Sequence, residues 1–213
     1  MGNHPPAGVE PGRAPRQAAA ACKRNTFTAS SRCVAWSRRL PAAAAPAAPR
    51  RPDRRFLFSR LSHLIALGFG SGLSRVAPGT VGTLWAWLAF LLIDRLGRPG
   101  DAGWALIIGT TLLAGWWASV ATVKRTGVAD PGYIVIDEVV AFWLVLWLAA
   151  PVGFWGQFWA FWLFRYFDAA KPGPVRWADQ AFKGWGWRGG WGIMFDDLVA
   201  AFCTLLVIAV WRF

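Results

Sequence analysis

Hydrophobic and polar positions divide this chain into two unequal parts. Apolar runs occupy residues 81–93, 102–123, 139–164 and 198–211, whereas residues 1–55 contain none with a helical or strand period. A hydrocarbon core of about 30 Å takes roughly 20 helical residues to cross, so the second run spans unaided and the others need flanking residues. Residues 134–168 are too many for one ordinary crossing, and Pro151 and Gly153 interrupt them midway. Two antiparallel helices of about 17 residues, roughly 25 Å each, fit better. Such a hairpin returns Arg165 and Asp168 to the side of Asp137 and Glu138.

Before the first run lies GFGSGLSRVAPGTVGT, with Gly68, Gly70, Gly72, Pro78, Gly79 and Gly82. Each mid-helix Gly costs about 1 kcal/mol relative to Ala, and Pro costs more, so this segment predicts a loop or broken helix near the membrane surface. Within a bilayer such backbone is tolerated where protein or a water-filled cavity satisfies its polar groups. The expected fold is therefore an all-α polytopic membrane protein with about five transmembrane helices, at 76–93, 102–123, 134–150, 152–168 and 197–211. A Gly-rich broken entry and a helical hairpin complete it. The stretch KPGPVRWADQAFKGWGWRGGWG reads as a polar interfacial loop, with Trp185, Trp187 and Trp191 as an aromatic belt.

Composition agrees: 55% hydrophobic residues, 16 Trp and only 16% charged residues describe a membrane protein. The net charge of +12 is unevenly spread, since residues 1–55 hold 11 Lys and Arg against Glu10 and Asp53. That Ala/Pro/Arg-rich tail has no apolar face with which to offset chain entropy, and it is expected to be disordered. The favoured reading is upstream sequence translated from an early start codon; a transit peptide and an anionic-lipid-binding arm are the alternatives. No aromatics interleave with its bases, which argues against a nucleic-acid partner. Cys22, Cys33 and Cys203 give an odd count, against a disulfide framework or structural zinc. The Cys-x5-Arg spacing of Cys33 and Arg39 lacks a glycine loop and is taken as chance.

Five of the nine acids after residue 55 form three clusters touching apolar runs: Asp137 with Glu138, Asp168, and Asp196 with Asp197. Neighbouring carboxylates repel, and a low-dielectric site leaves that repulsion uncompensated without a cation. Hard oxygen ligands suit Mg²⁺, which binds one or two carboxylates together with waters and phosphate oxygens. The plainer explanation is the helix dipole, which favours acids in a first turn by about 0.3 to 1 kcal/mol. It serves one pair, but two pairs plus Asp168 point to function, because intramembrane ionisable groups are functional candidates by default.

Arg165, Lys171 and Arg176 lie beside the acids and are candidates to hold a phosphate, Arg as a fork and Lys as a point charge. Positive-inside anchoring explains Arg176 equally well. The glycine segment suggests an anion nest involving Gly72 and Gly79, to which Ser71, Thr80 and Thr83 add hydroxyls, although small residues there also permit close packing. With the tail inside, Lys124, Arg125, Lys171, Arg176, Lys183 and Arg188 also fall inside, which puts every acid cluster on the cytoplasmic face. Only His4 and His63 are present, and His63 reads as interfacial.

GFGSGLSRVAPGTVGT, the IDE of residues 136–138, FRYFDAAKPGPVRWAD and GIMFDDLVAA together resemble, in order and spacing, the phosphatidylglycerophosphatase A family. The resemblance covers most of residues 61–211. It implies a bacterial inner-membrane, Mg²⁺-dependent phosphatase that converts phosphatidylglycerophosphate to phosphatidylglycerol and phosphate. Carried over by motif, Asp137, Glu138, Asp168, Asp196 and Asp197 would be the metal and catalytic carboxylates, with Arg165 and Lys171 on the phosphate. The expected chemistry is metal-assisted attack by water with one carboxylate as general base, an aspartyl-phosphate intermediate being the alternative. A CDP-alcohol-type phospholipid synthase and a small ion transporter are the rival readings of such acids. The synthase's Asp-Gly-x2-Ala-Arg signature is absent, while an ion transporter could use the same broken helices.

Overall fold

A computed structural model describes residues 52–128, 131–150, 153–182 and 187–212. The tail to residue 51, Lys183, Trp185 and the Pro151 turn lie outside the described residues. Eight α-helices and one 3-10 segment make up the described chain, with no strand among them. The helices are α1 (Arg54–Phe58), α2 (Leu61–Ala66), α3 (Pro78–Gly97), α4 (Asp101–Thr126), α5 (Ile136–Ala149), α6 (Phe154–Ala170), α7 (Gly173–Ala181) and α8 (Trp187–Arg212).

Asp53, placed by sequence in the tail, accepts a 2.7 Å hydrogen bond from the Phe56 amide and caps α1. The expected break in the Gly-rich entry is present as the 3-10 segment Gly68–Leu73, in which Phe69 and Gly70 take positive φ. Ala77 is also left-handed, after which Pro78 opens α3 where a missing N–H costs nothing. The Val135 amide donates to the Ala66 carbonyl at 3.0 Å, tying the end of α2 to the start of α5.

Three helices, α3, α4 and the stretch Trp187–Trp211 of α8, are long and apolar enough to cross a membrane. Their common neighbour is α5, whose residues are apolar nearly all round and mostly buried, as a central helix requires. Phe142 packs on Phe161 and Phe164 of α6, with ring centroids 5.9 and 5.6 Å apart. The hairpin predicted over 134–168 is thus formed. Its helices have 14 and 17 residues, roughly 21 and 25 Å, less than a full crossing.

Two elements depart from the sequence reading. The final helix begins at Trp187, ten residues before the expected start of the last span, so Asp196 and Asp197 sit inside it. Part of the expected interfacial loop is α7, whose buried residues are Val175 and Ala178. In α8, glycines permit close packing that repays their poor helix propensity: a Cβ at Gly190 would strike the Val120 side chain, and one at Gly192 the Phe182 carbonyl.

Candidate functional site

Asp137 and Glu138 occupy the first turn of α5. Glu138 is gripped from two sides. Arg165 Nη1 lies 3.2 Å from its Oε1 and also pairs with Asp168, while Thr83 Oγ1 donates to its Oε2 at 3.4 Å. Close approach of α3 depends on missing side chains, because a Cβ at Gly79 would strike Glu138 Oε1 and one at Gly82 would crowd Oε2. The i,i+3 spacing of Arg165 and Asp168 on α6 sets up their pair.

Lys171 ends α6 in a left-handed conformation, φ 43°, ahead of Pro172, which cannot continue the helix. Its Nζ lies 2.6 Å from Asp179 Oδ1 on α7 and 2.6 Å from Asp196 Oδ2 on α8. Burial alone would lower the pKa of this amine. Its hydrogen bonds to the two carboxylates, together with their charge, outweigh burial and hold it above the usual lysine range. Lys171 therefore stays cationic at neutral pH.

Asp137, Glu138, Asp168, Asp179, Asp196, Asp197 and Lys171 all line one cavity of about 370 Å³. Arg165 and Lys171 bond four of the six carboxylates, leaving a formal excess of four negative charges. Asp137 Oδ1, Asp196 Oδ1 and Asp197 Oδ2 are buried without a hydrogen-bond partner. Unpaired buried carboxylate oxygens are costly, so this geometry suits an added cation. The helix dipole does not account for Asp196 and Asp197, which lie well beyond the first turn of α8. Among the described residues no three acid, His or Cys side chains form a ready-made metal cage.

The remaining sequence candidates are placed apart from the cavity wall. Gly79 backs Glu138 and Arg165, and Thr80 is half-buried in the first turn of α3. Ser71 donates to the Gly68 carbonyl at 2.9 Å, and Gly72 is buried where a Cβ would strike the Tyr133 carbonyl. Arg176 is exposed on α7. His63 is buried with its ring stacked on Phe56 at 4.0 Å, and its Nδ1 lies 2.9 Å from Ser59 Oγ. Asp179 was missed as a site residue. The available signal was its place one residue after Ala178 and four after Val175, on the buried side of a short helix.

Helices long and apolar enough to cross a membrane, packed around an acid-lined cavity with Lys171 in its wall and Arg165 bonded to two of its carboxylates, fit the class of membrane enzymes that act on charged groups. The family model for phosphatidylglycerophosphatase A matches residues 64–212. A protein of Escherichia coli named phosphatidylglycerophosphatase A is 39% identical over 156 residues, 71% of this chain and 86% of that protein. One of the same name from Haemophilus influenzae is 38% identical over 149 residues, covering 68% and 85%. A Bacteroides thetaiotaomicron protein named "Putative phosphatidylinositol-3-phosphatase" is 38% identical over 160 residues, covering 72% and 95%. No solved structure matches the chain. The chain belongs to the phosphatidylglycerophosphatase A family.

Proposed function

We propose that this protein is a Mg²⁺-dependent phosphatase of the bacterial inner membrane that hydrolyses phosphatidylglycerophosphate to phosphatidylglycerol and phosphate. The observation that carries the reading is the acid-lined cavity, with buried carboxylate oxygens left unpaired beside Lys171 and Arg165. Family membership supports the substrate, and it sets aside the CDP-alcohol synthase and ion-transporter readings.

The donor set fits Mg²⁺, which takes few protein ligands and keeps waters and phosphate oxygens in its shell. Asp137, Asp196 and Asp197 would hold it, with Glu138 and Asp168 beside them. When bound, it supplies positive charge that neutralises a phosphomonoester and stabilises charge in transfer. Lys171 contributes an ammonium at the cavity wall, held in place by Asp179 and Asp196. Arg165, fixed between Glu138 and Asp168, offers a guanidinium to phosphate oxygens once those pairs rearrange. One cavity carboxylate accepts the proton of the attacking water.

In this reading the hairpin α5/α6 completes five crossings, its short helices compensated by tilt and local thinning of the bilayer. Lys124, Arg125, Arg176 and Arg188 share the cytoplasmic side with the cavity mouth. The name of the Bacteroides relative favours a second substrate, a phosphoinositide. The test is phosphate release by purified protein from a panel of lipid phosphomonoesters, with and without chelator. Metal-dependent release from phosphatidylglycerophosphate is expected. Release only from the phosphoinositide would favour the second reading, and release from neither would refute both.

A further inference from the structure

We propose that a second cleft, between α3 and α4, holds an acyl chain of a resident phospholipid, distinct from the lipid whose phosphate enters the acid cavity. This cleft has a volume of about 480 Å³. Its walls are Trp85, Ala89 and Ile93 on α3 with Ile107 and Ala114 on α4. Both helices are long and apolar enough to cross a membrane. From Trp85 to Ile93 the cleft runs roughly 12 Å along the α3 axis, and thus lies at the depth of lipid tails.

Both threonine hydroxyls of the lining are already bonded within the protein. Thr110 Oγ1 donates to the carbonyls of Leu106 and Ile107 at 2.8 and 3.1 Å, and Thr111 Oγ1 to that of Ile107 at 2.7 Å. The floor residue Trp143 gives its indole N–H to the Ala86 carbonyl at 2.8 Å. Water here would lack the two to four partners it needs, and a headgroup or peptide would leave its own polar atoms unpaired. Hydrocarbon is the occupant that best matches these mostly apolar walls.

The occupant is not the lipid under hydrolysis, because α5 stands between the two spaces. Ile136, Val139 and Trp143 form the cleft floor, whereas Asp137 and Glu138 face the acid cavity, and no described residue lines both. A chain in the cleft therefore supports α5 from behind its acid pair.

The experiment uses full-length protein in nanodiscs of phosphatidylcholine containing a trace of phosphatidylcholine with a diazirine midway along one acyl chain. Illumination, digestion and mass spectrometry map the adducts. Adducts should concentrate on Trp85, Ala89, Ile93, Ile107 and Ala114 over the exposed Leu88, Leu92 and Leu113 of the same helices. Filling the cleft with Ala89→Phe plus Ala114→Phe should reduce them several-fold and leave those at the exposed Leu206 and Val207 of α8 unchanged. Adducts spread evenly over cleft and α8 surface, or undiminished by filling, would overturn the proposal. Should the double variant not fold, the wild-type distribution alone decides. Because no turnover is measured, the result stands apart from the phosphatase reading.

Discussion

Both ends of the helical bundle carry acids and bases, and they hold them in different surroundings. At the α3–α4 turn, Asp94, Arg95, Arg98 and Asp101 are all exposed. Asp94 accepts from the Trp104 indole at 3.4 Å, and Asp101 from the Trp147 indole at 3.1 Å. At the other end, Asp137, Asp196 and Asp197 have buried oxygens with no partner. The cavity end holds six carboxylates against two at the turn, and it differs further in desolvation with unmet bonding capacity. Solvated carboxylates are satisfied by water, whereas buried oxygens without a partner keep bonding capacity unmet.

The sharpest way to break that comparison is one conservative change at each end. Asp197→Asn or Asp137→Asn should cut phosphate release on the order of 10²–10⁴-fold, with membrane insertion intact. Asp94→Asn should shift stability by less than about 0.5 kcal/mol and leave turnover at the wild-type level. Equal losses at both ends would remove the distinction. Next in size, chelation should abolish turnover in the wild type and Mg²⁺ should restore it. Activity that survives exhaustive chelation would show that the unpaired oxygens serve another purpose.

Asp179→Asn should cost roughly 10–100-fold in kcat/KM, the scale seen when a residue that orients a metal or substrate group is lost. Asp179→Glu should recover part of it, and a double-mutant cycle with Lys171→Met should be non-additive. Additive losses would mean that Asp179 acts independently of Lys171. The smallest effect is expected from removal of residues 2–51, which should leave turnover unchanged in the phosphate-release assay.

Sequence made the hairpin legible because Pro151 and Gly153 punctuate an otherwise continuous apolar run. It exposed the acid clusters because charge is conspicuous against such flanks. Reading failed where tertiary contact outweighs local preference. Gly189, Gly190 and Gly192 look like loop residues, yet they lie in the first turns of α8, where the absence of side chains at Gly190 and Gly192 admits Val120 and Phe182. Pro172, Gly173 and Pro174 look like an irregular connection, but proline is compatible with a helix start, and they open α7. Asp179 escaped notice because it touches no apolar run; its importance appears only when α7 folds back and meets Lys171. Ser71 and Gly72 resembled an anion nest, and the structure shows that serine hydroxyl bonding the Gly68 carbonyl and that glycine pressed on Tyr133.

The bare glycine edge of α3 at Gly79 and Gly82 also ties two helices together through one carboxylate. With Glu138 lodged against that edge, α3 has little freedom to change inclination without carrying the carboxylate along. A methyl group at Gly79 or Gly82 would push that carboxylate and the helix apart, so two residues outside the cavity wall set where one of its acids stands.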